Sequence, residues 1–169
     1  FINTIVSISL VLFIIIGLLY SSPPIRLKTK PFLDSLSNFF YILPGVIGFA
    51  MINAQLPHST ILIAASLWAI AMHLFSAIVD IEADQKAGIN TTATILKRRK
   101  SILLTSFLWL LSVLLVVPYS PVLLVGCIYP ILPLLTLHTK KLLPQLYWLF
   151  PLINASVGFL LTILIIYAA

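Results

Sequence analysis

The sequence predicts an all-α integral membrane protein, a bundle of about six transmembrane helices forming one domain over residues 1–169. Three observations lead there. Hydrophobic residues make up 61% of the chain and charged residues 8%, against roughly 25% charged residues in an ordinary soluble domain. Apolar runs of about 20 residues, the length a helix needs to cross the hydrocarbon layer, recur along the chain. These runs are apolar on every side, whereas membrane barrels show alternating segments of roughly ten residues.

The spans fall near residues 1–20, 36–55, 59–79, 101–118, 121–138 and 146–167. All ten basic and all four acidic residues lie outside them. Pro118 and Pro121 mark the break between the fourth and fifth spans, and Pro44, Pro130, Pro133 and Pro151 are expected to bend the helices that contain them. Neighbouring helices can satisfy the carbonyls so freed. Cys127 is the single cysteine, which excludes an internal disulfide or a thiolate metal cluster and leaves a small packing residue.

Charge sets the expected orientation. Arg26, Lys28 and Lys30 lie in the first loop, Lys86, Lys97, Arg98, Arg99 and Lys100 in the third, and Lys140 and Lys141 in the fifth. The second loop (55–58), the fourth loop and Ala169 carry no basic residue. The positive-inside rule therefore puts loops one, three and five in the cytoplasm, with Phe1 and Ala169 outside, as in a multi-pass protein of a prokaryotic plasma membrane. The net charge of +6 follows from this topology; no basic stripe interleaved with aromatics points to nucleic acid. Phe1 opens the chain without an initiator Met or a basic n-region, so the first run does not read as a secretory signal and the sequence is expected to start within a longer protein.

Asp34 lies in the first loop and Asp80, Glu82 and Asp84 at the start of the third. Three acids within five residues at a membrane boundary are expensive to desolvate. On a helix, Asp80 and Asp84 stand one turn apart on one face. Two such carboxylates suit magnesium, which takes one or two protein carboxylates and fills its octahedron with water and phosphate oxygens. Lys86, Asn90 and Thr91 follow at once, around Gly88, and offer a cation and polar donors to a diphosphate. In the first loop Tyr20 precedes paired prolines that present Arg26 and Lys28. Bland readings stand beside these. The acids can cap the next segment or pair with Lys86 and the basic run 97–100, the basic residues of the first loop can be snorkelling anchors, and Tyr20 can be an interfacial belt aromatic. His58, His73 and His138 have no metal-ligand spacing, and His73 reads as a polar helix residue without an assigned role.

At these two loops the sequence resembles the UbiA family of intramembrane prenyltransferases. Residues 20–28, YSSPPIRLK, resemble its tyrosine- and proline-containing basic motif, and residues 80–94, DIEADQKAGINTTAT, its second aspartate-rich motif. Lys97 departs from the pattern, standing where family members often place glycine. The resemblance implies that the chain matches spans four to nine of a nine-helix fold and is a C-terminal fragment whose first aspartate-rich motif would precede Phe1. It implies a Mg2+-dependent transfer of a prenyl group from an allylic prenyl diphosphate to a lipid-soluble acceptor. Asp80 and Asp84 would bind the metal, Arg26, Lys28, Lys86, Asn90 and Thr91 the diphosphate, and Tyr20 and Lys28 would join the carboxylates in catalysis. The stretch 31–45, PFLDSLSNFFYILPG, is similar to branches that prenylate carotenoids such as lycopene; a quinone precursor is the other acceptor considered. The rival reading is a non-catalytic membrane scaffold or transporter fragment, although transporter coupling charges usually sit near the bilayer midplane.

Overall fold

The computed structural model describes residues 3–168. Its helices are α1 (Thr4–Ser21), α2 (Leu33–Leu36), α3 (Leu43–Asn53), α4 (Ser59–Val79), α5 (Ile81–Lys86), α6 (Thr92–Val116), α7 (Ile128–Leu135) and α8 (Leu142–Ala168), joined by turns and 3-10 segments. Five stretches are long and apolar enough to cross a membrane: Thr4–Ser21, Leu33–Asn53, Ser59–Val79, Thr92–Tyr119 and Leu142–Leu164. With the family assignment below, they make this an integral, multi-pass membrane protein.

The expected fifth span is the one that differs. Residues 121–138 form a 3-10 segment, Pro121–Cys127, followed by the eight-residue α7. Four prolines between Pro118 and Pro133 remove backbone donors here, and the chain answers with tighter turns. Laid end to end, Pro121–Leu135 extends roughly 26 Å at the rises of 3-10 and α turns, close to the hydrocarbon thickness of about 30 Å. Two other expectations are corrected by backbone chemistry. Pro44 does not bend a helix but stands in the first turn of α3, where its missing N–H costs nothing. The second span opens three residues before residue 36, at Leu33, so Asp34 belongs to a helix and not to a loop.

That second span is α2, a 3-10 segment (Ser37–Ile42) and α3 in sequence. The tightening has a local cause. Ser37 Oγ donates to the Leu33 carbonyl at 2.6 Å, and Asn38 Nδ2 donates to the Asp34 carbonyl, so side chains compete for helix acceptors. Asn3 caps α1 by accepting from Val6 N–H at 2.9 Å, and its amide donates to the Ala50 carbonyl at 2.8 Å, tying α1 to α3.

The centre of the bundle is the α4–α6 pair. Small buried residues, Ala64 and Ala71 on α4 with Ser101 and Thr105 on α6, let the two backbones approach. Ser112 Oγ donates to the Ala64 carbonyl at 2.8 Å and Trp109 Nε1 to the Trp68 carbonyl at 3.2 Å. Around this seam Phe75, Trp109, Tyr129 and Phe150 pack ring against ring, with centroids 5.5 to 6.0 Å apart. In α1 and α8 only 11% of the span is buried.

Helix α6 begins at Thr92, nine residues before the expected span, so the basic run 97–100 lies within the helix and not in a loop. The helix kinks at Lys97, whose φ of 62° and ψ of 162° are non-helical. Ser101 Oγ donates to the Lys97 carbonyl at 3.0 Å, satisfying an acceptor that the kink releases.

Candidate active site

One stripe of α4 and its continuation carries the polar chemistry. His73, Ser76, Asp80 and Asp84 recur at three- and four-residue spacing and line a single cavity of about 350 Å³. Helix α4 stops at Val79 and α5 starts at Ile81, yet Asp84 N–H still donates to the Asp80 carbonyl at 2.8 Å. The helical turn therefore survives the one-residue break, and both carboxylates face the same space.

Gly88 then returns the chain to that space. Its φ is +67°. Gly88 N–H donates to the Gln85 carbonyl at 3.2 Å and Ile89 N–H to the Asp84 carbonyl at 2.9 Å, the paired bonds of a Schellman stop. The reversal delivers Thr91, whose hydroxyl lies 3.4 Å from Asp84 Oδ2. Thr91 also caps α6: its Oγ1 accepts from Thr94 N–H at 3.3 Å while Thr94 Oγ1 accepts from Thr91 N–H at 2.9 Å. Burial, followed by the charge of Asp80 beside it, raises the Asp84 carboxyl above the ordinary carboxylate range, against the lowering effect of the Thr91 hydroxyl.

The first loop closes the cavity from the other side. Arg26 takes a left-handed backbone conformation (φ 41°) and starts the 3-10 turn Leu27–Thr29. This turn puts Arg26, Lys28 and Thr29 along the wall shared with Asp80, Asp84 and Tyr20. Cations thus face the carboxylate pair across one space. Of the residues singled out in the sequence, Tyr20, Arg26, Lys28, Asp80, Asp84 and Thr91 meet here, whereas Lys86 and Asn90 are exposed and do not line the cavity. Glu82 turns to the other side of α5, into a second polar cavity with Lys97, Arg98 and Lys140. The three charged loops thereby meet at one end of the bundle.

Asp80 and Asp84 supply hard oxygen donors one turn apart, a set that fits a divalent cation whose remaining positions go to water and phosphate oxygens. Among the described residues no cluster of three or more His, Cys, Asp and Glu forms a metal cage, so this pair could supply only part of a ligand set.

Two residues of this region carried no assigned role in the sequence reading. Asp34 has no solvent exposure; it accepts from Thr92 N–H at 3.0 Å and from the Thr92 hydroxyl. Its charge therefore sits at the N-terminus of the 25-residue α6, where the helix dipole favours an anion. His73 Nε2 lies 3.8 Å from Asp34 Oδ2. The signal for His73 was its register with Asp80 and Asp84; the signal for Asp34 was an acid beside an apolar run.

A largely apolar cavity of about 440 Å³ lies next to the polar one, lined among others by Tyr41, Phe75, Tyr147 and Phe150. His73 and Ser76 belong to the walls of both cavities.

Residues 1–150 match the profile of the UbiA prenyltransferase family, and the chain belongs to that family. It is 44% identical over 149 residues to a lycopene elongase/hydratase of Haloarcula japonica, an alignment covering 86% of this chain and 50% of the relative. With the lycopene elongase/hydratase of Haloferax volcanii it shares 40% identity, over 85% of this chain and 48% of the relative. The chain thus spans about half the length of these curated relatives. The fold is similar to the structure of a UbiA homolog from Archaeoglobus fulgidus bound to Cd2+, with a TM-score of 0.63 at 24% identity, covering 95% of this chain and 66% of that one.

Proposed function

We propose that the full-length protein transfers a prenyl group from an allylic prenyl diphosphate to a carotenoid such as lycopene, in a magnesium-dependent reaction at the cytoplasmic face of a prokaryotic plasma membrane. The observation that carries this reading is the junction of two cavities. One holds the Asp80–Asp84 turn opposite Arg26 and Lys28, and the other is apolar and shares His73 and Ser76 with it. A charged leaving group and an apolar acceptor can meet only at such a boundary. The names of the archaeal relatives favour a carotenoid over a quinone precursor.

Asp80 and Asp84 would hold the metal, which when bound stabilises charge on the departing pyrophosphate as a Lewis acid. Its remaining protein ligands would come from the part of the relatives' length that this chain does not span. Arg26 and Lys28 grip the diphosphate with preorganised positive charge that acts most strongly as the C–O bond breaks. Thr91 donates to the same oxygens or to Asp84, while Lys86 and Asn90, exposed and outside the cavity lining, attract the incoming anion. Tyr20 offers its ring face to the allylic cation, worth about 0.5–2 kcal/mol. The apolar cavity keeps water from that cation and opens to an acceptor dissolved in lipid.

The test uses the full-length protein in membrane vesicles with lycopene and labelled allylic diphosphates of increasing chain length. Prenylated product is expected with Mg2+ and not with a chelator. Asp80→Asn and Asp84→Asn should each lower turnover by about 100-fold or more, and the double variant should be little worse than either because the two serve one site. Mg2+-dependent turnover that survives both changes would sink the carboxylate assignment.

A further inference from the structure

The geometry points to His73, held by Asp34, as the general base of this transfer, taking the proton that the acceptor must lose after the new carbon–carbon bond forms; this assignment rests on the prenyl-transfer reading above. Three features support it. His73 borders both cavities, so it stands where donor and acceptor carbons meet. Asp34 is wholly buried, and the two donors of Thr92 leave further acceptor capacity on its carboxylate. The face of that carboxylate towards α4 is occupied by His73 Nε2 at 3.8 Å. Thirdly, the rings of Tyr20 and His73 meet edge to face, centroids 6.2 Å apart at 86°, restraining the imidazole from the side of α1.

At 3.8 Å the contact is longer than a hydrogen bond, so Asp34 acts through its charge: a buried carboxylate on the Nε2 side favours a proton there, leaves Nδ1 to accept, and stabilises the imidazolium once formed. Asp34 is thus a positioning residue. The remaining groups on the polar wall are poor bases for this step. Asp80 and Asp84 would be taken up by the metal, the cationic side chains of Arg26 and Lys28 have no lone pair to offer, and Tyr20 would have to surrender a phenolic proton.

The chemistry requires such a group. The allylic C–O bond breaks and its electron pair leaves with pyrophosphate. A π pair of the acceptor makes the new C–C bond and leaves a cationic carbon next to it. His73 Nδ1 then takes a proton from the neighbouring carbon, and the C–H pair becomes the new double bond. If water adds to the cation instead, the same nitrogen takes the proton that the added oxygen sheds. In either course the proton sits on an imidazole that borders the polar cavity, through which it reaches bulk water.

The test compares wild type, His73→Gln, His73→Ala and Asp34→Asn in the full-length protein, in vesicles with Mg2+, lycopene and a labelled allylic diphosphate. The quantity read is prenylated acceptor formed per pyrophosphate released, which does not depend on how much of a variant folds. Both His73 variants are expected to lower this ratio about tenfold or more, with the label diverted to the free prenyl alcohol, and Asp34→Asn to lower it less. Added imidazole should restore the ratio in His73→Ala. An unchanged ratio in both His73 variants overturns the assignment, and so does a fall in His73→Ala that imidazole leaves untouched, which would make His73 a packing residue. Wild-type protein that releases pyrophosphate but makes no prenylated lycopene overturns the transfer reading itself and the base with it; failure confined to the variants overturns only the base.

Discussion

Asp84 stands one turn from Asp80 in a partly desolvated corner, and the consequence is testable without turnover. Its carboxyl is raised above the ordinary range, first by burial and then by the neighbouring charge. A raised pKa means that the folded state binds the proton more tightly than the unfolded state. The contribution to stability is therefore full below the ordinary carboxylate pKa and is lost as pH rises through the folded one. At neutral pH, without metal, the ionised pair opposes folding. Asp84→Asn should raise the thermal midpoint in chelator at pH 7, and the advantage should shrink as pH falls into the ordinary carboxylate range. A lower midpoint at pH 7 would mean that Asp84 is paired more strongly than this geometry shows. Lys97 makes a second prediction at this scale. Its φ of 62° and ψ of 162° fall in a region that is nearly glycine-only and costs other residues about 1–3 kcal/mol. Lys97→Gly should stabilise the protein by a similar amount in a denaturation measurement, and it restores the residue that the family resemblance suggested for this position.

At the scale of elements, the turn from α5 to α6 decides whether the site forms. Gly88 reverses the chain so that Thr91 reaches Asp84 and Thr92 reaches Asp34. No atom crowds an added Cβ at Gly88, so a substitution there acts through its φ of +67°. Gly88→Ala should cost about 1–2 kcal/mol and should weaken donor use several-fold, read as a raised KM for the allylic diphosphate. Unaltered stability and KM would show that the turn tolerates another conformation. The Thr92 hydroxyl is the complementary case. Thr92→Val keeps the N–H bond to Asp34 but strips one donor from a buried carboxylate, which should cost about 1–3 kcal/mol.

At the scale of the molecule, the charged loops meet around α5: Arg26 and Lys28 on one side, Lys97, Arg98 and Lys140 on the other. Arg98 further donates to the Thr136 and Leu137 carbonyls beyond the end of α7, where a cation suits the helix dipole. This convergence predicts the topology of the whole chain. In a Cys127→Ser background, Lys30→Cys and Lys141→Cys should react with an impermeant maleimide only from the cytoplasmic side, and Gln55→Cys only from the opposite side. Labelling of all three from one side would refute the odd number of crossings that separates Gln55 from each of the other two.

The helical membrane class was legible from composition and run length alone, because lipid imposes helices on any long apolar segment that must satisfy its own backbone. So was the carboxylate pair at Asp80 and Asp84, since a spacing of four puts two side chains on one helix face wherever that helix sits. The early start of α6 was harder to read, because Lys97, Arg98, Arg99 and Lys100 look like a loop until Thr91 and Thr94 cap the helix before them. The 3-10 start of the fifth span was hidden similarly, since hydropathy does not register the donors that prolines withhold. Asp34 and His73 lie 39 residues apart in number and on different helices, so no local pattern joins them. Their partnership is decided by tertiary packing, which seats α6 on Asp34, brings α4 alongside and places a buried charge where one imidazole divides a polar cavity from an apolar one.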